Sequence, residues 1–205
     1  MKYKWLNKEV SNKKLILFFN GWGMDEWVVK HLDSKDYDVL MFYDYNSLDT
    51  DFDWKIIESY SEKNLISWSM GVMIGTKFIK SDSLSQSIAI NGTLKPIDID
   101  FGIHPKIYDL TINGFDENGR KRFINSMFEE STELYCQRKL EEQHSELIAL
   151  KKYSASEEFK YNKVLISNND KIIPTKSQTK FWGIEPNLKG GHCPFLQFKE
   201  WGDLL

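Results

Sequence analysis

The sequence is poor in three features that mark particular classes of protein: cysteine, long apolar runs and excess positive charge. Its two cysteines, Cys136 and Cys193, are too few for a disulfide framework and too far apart for a close-spaced metal pair. No stretch approaches the roughly 20 apolar residues of a membrane span, and the N-terminal "MKYKWLNKEVSNKK" has no signal-peptide apolar core. The sequence therefore predicts a cytoplasmic protein without a membrane partner.

Charge is nearly balanced, with 27 basic and 30 acidic residues and a formal net charge of -3. No stripe of Lys and Arg is interleaved with aromatic residues, so nothing favours nucleic acid as a partner. A chain of 205 residues can bury roughly 70% of its unfolded surface, enough for a core without disulfides or metals. We expect one domain over residues 1–205, with no cofactor and no metal.

Short apolar runs bounded by polar residues or glycine are the main pattern that is present. They are "LILFF" (15–19), "VLMFY" (39–43), "LISW" (65–68), "SIAI" (87–90) and "VLISN" (164–168). Runs of this length are typical of strands buried on both faces of a parallel sheet. Residues 24–32 and 70–80 have the length and apolar spacing of crossover helices. The pattern predicts an α/β fold, a mostly parallel sheet with helices on both faces.

The alternation stops between about residues 95 and 160, where charged residues are frequent. Phe123, Met127 and Phe128 share one face of a predicted helix, and Ser154 with Glu157 fits a capping box. We interpret this segment as a small helical cap inserted between two strands of the sheet.

A serine lies where the run at 65–68 meets a helix-like segment, in "SWSMG". A serine hydroxyl needs a base, a group that orients the base, and N–H donors for the oxyanion before it can carry out acyl transfer. The spacing of Ser67, Ser69 and Gly71 matches the G-x-S-x-G elbow, with serine in place of the first glycine. Taken alone, the stretch is explained equally well by ordinary turn chemistry.

The segment "NGWG" (20–23) follows the first apolar run directly. Gly21 and Gly23 allow a close backbone approach and unusual dihedral angles. We therefore expect the backbone N–H groups of Trp22 and Met70 to form an oxyanion hole. An ordinary glycine-rich turn is the alternative.

Two further residues complete the order of an α/β-hydrolase triad. Asp170 follows a buried strand, and His192 lies in "KGGHCPF". The predicted roles are nucleophile for Ser69, orienting carboxylate for Asp170, and general base and acid for His192. Cys193 is a weak candidate nucleophile because neighbouring loop side chains seldom point at one another.

Other residues compete for these roles. His104 is an alternative histidine at the mouth of the cap, and Asp44 and Asp49 are alternative acids after the second apolar run. His31 and His144 are predicted to lie at the surface.

Five segments together resemble one family along most of the chain: "FFNGWGMD", "LISWSMGV", "AINGTLKPID", "TINGF" and "GGHCPF". They are similar to the BioG-type pimeloyl-[acyl-carrier protein] methyl ester esterases, small α/β-hydrolases of biotin synthesis. The resemblance implies hydrolysis of the methyl ester that masks the distal carboxylate of a pimeloyl chain on acyl-carrier protein. It implies the same Ser69, Asp170, His192 triad and places Trp22 beside the ester.

A methyl ester at the end of an aliphatic chain needs an apolar channel, and Trp22, Phe123, Met127 and Phe128 are candidates to line it, with core packing as the alternative. Because a carrier protein is acidic, a cationic patch on the cap would attract it. The candidates for that patch, which fit a solvated helix face equally well, are Arg120, Lys121, Arg122, Arg138 and Lys139.

Two other functions remain open from the residues. A triad and oxyanion hole would also serve a general carboxylesterase or an acyl thioesterase. A non-catalytic binding partner of a biotin-pathway enzyme could use the same fold, since fold does not imply activity.

Overall fold

A single six-stranded sheet forms the centre of the protein, whose computed structural model describes residues 1–128, 136–156 and 158–205. The strands are β1 (Lys2–Asn7), β2 (Lys14–Phe19), β3 (Tyr37–Tyr43), β4 (Glu62–Trp68), β5 (Gln86–Ile90) and β6 (Lys163–Leu165). Their order is β1-β3-β2-β4-β5-β6; β2 to β6 run parallel and β1 pairs antiparallel with β3. This arrangement confirms the predicted α/β fold.

The apolar runs form the strands because both sheet faces are covered. Along β2, Leu15, Leu17 and Phe19 join one buried cluster, while Ile16 and Phe18 join a second cluster on the opposite face. Successive strand residues point to opposite faces, so a continuous apolar run is needed to fill both.

The edge strand β1 was not predicted. Its sequence "KYKWLN" alternates between exposed and half-buried positions and contains no continuous apolar run. It is antiparallel and lies at the margin of the sheet, where only one face needs apolar residues.

Two predicted crossover helices are much shorter than expected. Residues 24–32 contain only a 3-10 turn at Glu26–Val28, and residues 70–80 contain helix α1 at Gly71–Gly75. The glycines at both ends of α1, and the β-branched Val28 and Val29 in the first segment, lower helix propensity. The predicted strand at 164–168 ends at Leu165, after which Ser167 makes an isolated bridge to Leu188.

Among the described residues, three helices follow β5 and precede β6: α2 (Pro105–Asn113), α3 (Glu117–Met127) and α4 (Leu140–Leu150). Helix α5 (Thr175–Trp182) follows β6. Glu157 of the predicted capping box lies outside the described residues. Within the described parts of the chain, no helix is both long and apolar enough to cross a membrane.

Candidate active site

Ser69 lies on a sharp turn between the end of β4 and the start of α1. Its φ is 57°, in the left-handed region that non-glycine residues seldom adopt. Such a conformation costs of order 1–3 kcal/mol and is found where the surrounding structure enforces it. The Ser69 N–H donates to the carbonyl of Ile90 at 2.9 Å. The turn therefore has the strained geometry of a nucleophile elbow.

The residues two before and two after Ser69 lie in very tight space. A Cβ atom at Gly71 would lie 2.2 Å from the Phe19 carbonyl oxygen, so no larger residue fits. Ser67 occupies the place of the first glycine of the elbow and is fully buried. A Cβ atom at Gly75 would lie 2.8 Å from the Ser67 hydroxyl oxygen. The space that Ser67 needs is thus provided by Gly75 at the end of α1.

Replacing Gly71 with alanine is expected to lower the free energy of unfolding by about 3 kcal/mol, because the new methyl group meets rigid backbone. Chemical denaturation measures this change. Gly202→Ala is a matched control, since the nearest atom to its Cβ would lie 3.7 Å away, and it should change stability by less than about 0.5 kcal/mol. Equal stability of the two variants would contradict the tight elbow.

Three side chains predicted from separate segments meet at this turn. His192 Nε2 lies 2.8 Å from Ser69 Oγ, and His192 Nδ1 lies 2.7 Å from Asp170 Oδ2. All three residues are at least nine-tenths buried. A carboxylate only accepts hydrogen bonds, so Nδ1 carries the proton and Nε2 is free to accept the serine hydroxyl. These distances match the geometry that a serine nucleophile with an oriented base requires.

Asp170 is itself held by neighbouring donors. Its Oδ1 accepts the backbone N–H groups of Ile172 at 2.8 Å and Ile173 at 3.1 Å. Its Oδ2 accepts Gln178 Nε2 at 2.8 Å in addition to His192. The carboxylate therefore cannot rotate without losing several hydrogen bonds.

The histidine loop is fixed by residues that the sequence did not single out for this role. Asn91 Nδ2 and Trp68 Nε1 each donate to the His192 carbonyl oxygen at 2.9 Å. Asn91 has a φ of 44° and directly follows β5. An asparagine before a glycine at the carboxyl end of a buried strand was the available signal, since asparagine tolerates left-handed backbone.

The loop "NGWG" passes directly beside the serine. A Cβ atom at Gly21 would lie 3.3 Å from Ser69 Cβ, and Gly23 has a φ of 74°. Among the described residues, no partner accepts the backbone N–H of Trp22 or of Met70. Their N–H groups are the two predicted oxyanion donors, and neither is engaged in a hydrogen bond within the described chain.

The predicted channel residues have different surroundings. The rings of Trp22 and Phe123 pack edge to face with centroids 4.6 Å apart. Met127 is almost fully buried, and its carbonyl accepts the Cys193 N–H at 3.0 Å. Phe128 is half-buried against the core cluster on the face of the sheet that contains Ile16. The structure brings Phe123 to Trp22, whereas Met127 supports the histidine loop through its backbone.

The alternative histidines make contacts elsewhere. His104 is exposed and caps α2 by accepting the Lys106 N–H. His31 is exposed, whereas His144 is half-buried and lies 3.0 Å from the Ile112 carbonyl. The prediction of a surface position holds for His31 and is wrong for His144, because α2 packs against it.

The alternative acids and the cysteine are also engaged elsewhere. Asp44 pairs with Lys2 at 2.8 Å and Arg138 at 3.0 Å, and Asp49 bonds to Ser47. Burial raises the pKa of Asp44, but these partners outweigh it and leave its pKa below the usual value. Burial raises the pKa of Cys193 to about 12, so this thiol keeps its proton at neutral pH.

Known proteins are similar to this chain in sequence and in fold. Residues 1–204 match the family described as "Pimeloyl-ACP methyl esterase BioG". The crystal structure of BioG from Haemophilus influenzae is 30% identical, with a TM-score of 0.89 over 100% of this chain and 99% of that one. An enol-lactonase from Burkholderia xenovorans, 12% identical with a TM-score of 0.70, covers 96% of this chain and 90% of its own, and shares the fold.

A larger protein contains a related segment. A malonyl-[acyl-carrier protein] O-methyltransferase from Bacteroides fragilis is 38% identical over 181 residues, which are 83% of this chain. The chain spans only 36% of that relative's length. The full-length family match and the H. influenzae structure nevertheless agree with each other. The chain therefore belongs to the BioG family, esterase-type hydrolases built on the α/β-hydrolase fold.

Proposed function

We propose that the protein is a serine esterase that hydrolyses the methyl ester of a pimeloyl chain on acyl-carrier protein, in biotin biosynthesis. The observation that carries the proposal is the hydrogen-bonded series from Ser69 through His192 to Asp170, at 2.8 and 2.7 Å. Family membership supports the choice of substrate.

The mechanism follows from the positions of these atoms. Ser69 Oγ attacks the ester carbonyl carbon while His192 Nε2 takes the hydroxyl proton. The N–H groups of Trp22 and Met70 stabilise the oxyanion that forms. His192 returns its proton to the departing methoxide, so that methanol leaves and an acyl-serine remains. Water, deprotonated by His192, then cleaves the acyl-serine and releases the free carboxylate.

The similarity to part of a malonyl-[acyl-carrier protein] methyltransferase supports a carrier-bound methyl ester as the substrate. The B. fragilis protein that contains the related segment is named for O-methylation of a carrier-bound acid. Hydrolysis of a methyl ester on a carrier-bound acid undoes that modification. An esterase in that context would act on the product of such methylation after the chain has grown.

A groove of about 330 Å³ between α2 and α3 is suited to an aliphatic chain. Its apolar lining includes Ile107, Leu110, Phe115, Phe123 and Ile172. The first two side chains are exposed, while Phe115 and Phe123 pack directly on Trp22. The groove thus extends from solvent to the two phenylalanines that pack on Trp22.

The cationic residues predicted to attract the carrier fall into two groups. Arg138 is almost fully buried in ion pairs with Asp44 and Glu146, and Arg120 pairs with Glu117. Lys139 is exposed directly before α4. Lys121 and Arg122 are exposed on α3, and Arg122 lines the groove. Within the described chain neither of these two makes a salt bridge, so their charges are available to an acidic partner.

Kinetics on matched substrates test the proposal. The methyl ester of pimeloyl-carrier protein should be hydrolysed with a higher kcat/KM than a free methyl ester of the same acid. The double variant Lys121→Glu, Arg122→Glu should lower kcat/KM for the carrier-bound ester about ten-fold, because charges at the rim of an interface control the rate at which the partners associate. The kcat/KM for the free ester should be unaffected.

The control is Lys13→Glu with Lys55→Glu, which reverses two exposed charges that belong neither to α3 nor to the lining of the groove. Equal rates on carrier-bound and free esters would favour a general carboxylesterase. Preference for acyl thioesters would favour a thioesterase. Failure to react with a fluorophosphonate would favour a non-catalytic binding role.

A further inference from the structure

Glu146 of α4 is a fully buried carboxylate that the reaction itself does not use. Its Oε2 accepts the Gly23 N–H at 3.2 Å and its Oε1 accepts the Tyr45 N–H at 2.9 Å. Arg138 Nη1 lies 2.5 Å from Oε2 and supplies the compensating charge. A carboxylate in the cap therefore bonds directly to the backbone of the "NGWG" loop.

Gln143, one turn earlier on α4, holds the same loop at two more points. Its Nε2 donates to the Gly23 carbonyl oxygen at 2.7 Å, and its backbone carbonyl accepts Trp22 Nε1 at 2.8 Å. Both backbone polar groups of Gly23 and the indole of Trp22 are thus bonded to α4. The Trp22 backbone N–H belongs to the peptide unit directly before these anchored groups and has no partner among the described residues.

The start of the loop is held through the second partner of Glu146. The Tyr45 hydroxyl donates to the Asn20 carbonyl at 2.8 Å, and Asn20 Oδ1 accepts the Gly21 N–H at 2.8 Å. Tyr45 is itself fully buried. The carboxylate of Glu146 consequently fixes the loop directly at Gly23 and, through Tyr45, at Asn20.

This arrangement is a costly way to obtain stability alone. A buried ion pair is often no more stabilising than well-packed apolar residues of similar volume. Its hydrogen bonds, however, orient the peptide group that follows Trp22 and, through Tyr45, the one that precedes Gly21. An oxyanion donor contributes most when it is already oriented, because no reorganisation is then needed during the reaction.

We infer that α4 is the positioning element of the oxyanion hole, and that Glu146 and Gln143 are positioning residues for the Trp22 N–H. The inference rests on the proposed esterase function and adds the residues that set the geometry of its transition-state contacts. The cap would then serve catalysis as well as substrate binding.

Glu146→Gln and Gln143→Met test this role on a free methyl ester. The amide introduced by the first substitution has only one acceptor oxygen, and the methionine introduced by the second cannot donate to the Gly23 carbonyl. Each variant should lower kcat by about 10- to 100-fold, approaching the loss of a full oxyanion donor, with KM changed less than about three-fold. Affinity for an alkyl trifluoromethyl ketone, whose serine adduct places an oxyanion in the hole, should fall in parallel with kcat.

Asp44→Asn is the matched control. It removes the other carboxylate partner of Arg138 without a direct contact to the loop, and asparagine suits the φ of 59° at this position. It should lower the melting temperature but leave kcat within about two-fold. Gln143→Met leaves the buried charges unchanged. If Glu146→Gln does not fold, the kcat of Gln143→Met tests the positioning role by itself.

The outcomes separate the two levels of inference. Suppose that the wild-type protein shows Ser69-dependent hydrolysis. If folded Gln143→Met and Glu146→Gln then keep the kcat and the ketone affinity of the wild type, the positioning role alone is overturned. An equal loss of kcat in Asp44→Asn would also overturn it, since the effect would then be general destabilisation. A wild type without Ser69-dependent hydrolysis would overturn the proposed function and this inference with it.

Discussion

Ser69→Ala is expected to reduce kcat for ester hydrolysis by several orders of magnitude, up to about 10⁶-fold. The hydroxyl that lies 2.8 Å from His192 Nε2 is lost, and no other hydroxyl in the described residues contacts that nitrogen. Folding should be unaffected, because alanine needs no more space than serine. Turnover of a methyl ester and labelling by a fluorophosphonate both measure the loss.

Ser67→Ala is the matched control, since it removes a second hydroxyl from the same turn. The Ser67 hydroxyl faces Gly75 and makes no hydrogen bond to the triad. This variant should keep its activity and its labelling. Hydrolysis at the wild-type rate by Ser69→Ala would assign the nucleophile to another residue, which peptide mapping of the labelled protein would identify.

The second large effect is expected for Asp170→Asn, a loss of about 10⁴-fold in kcat. Oδ1 accepts two backbone N–H groups, so the amide oxygen of the asparagine must take that place. Its NH₂ group then faces His192 Nδ1, which has to become an acceptor. The proton moves to Nε2, and His192 can no longer accept the hydrogen of Ser69.

The measurement is kcat on a free methyl ester, with thermal unfolding as the check on folding. The isosteric amide keeps the volume of the buried side chain, so the melting temperature should fall by only a few degrees. A folded variant that loses less than about ten-fold would show that Asp170 does not determine the tautomer of His192.

Two members of the proposed triad, Ser69 and Asp170, were accessible from sequence because each follows an apolar run that predicts a strand. A continuous apolar run predicts a buried strand, and parallel strands bring their carboxyl ends to one edge. Ser69 and Asp170 therefore had to lie near the same edge. The edge strand β1 was missed because its half-exposed residues carry no such signal.

Residues that act through tertiary contacts were not accessible in the same way. Glu146 and Arg138 lie in a charged segment whose pattern is typical of a solvated helix face, yet both are buried and paired. Asn91 could be placed at a strand end, but only the fold shows that it holds the histidine loop. Whether a charged side chain is buried, and which residue it pairs with, depends on which distant segments come into contact. The local spacing of residues does not predict these contacts.

The contact between Ser67 and Gly75 changes how the nucleophile motif should be defined. The five-residue pattern treats the first glycine as an independent requirement, whereas here the space is divided between positions 67 and 75. A serine at the earlier position is compatible with the elbow when the later position has no side chain. The pair of positions then describes the elbow of this chain better than either position alone, and a search for a strict G-x-S-x-G pentapeptide does not recognise it.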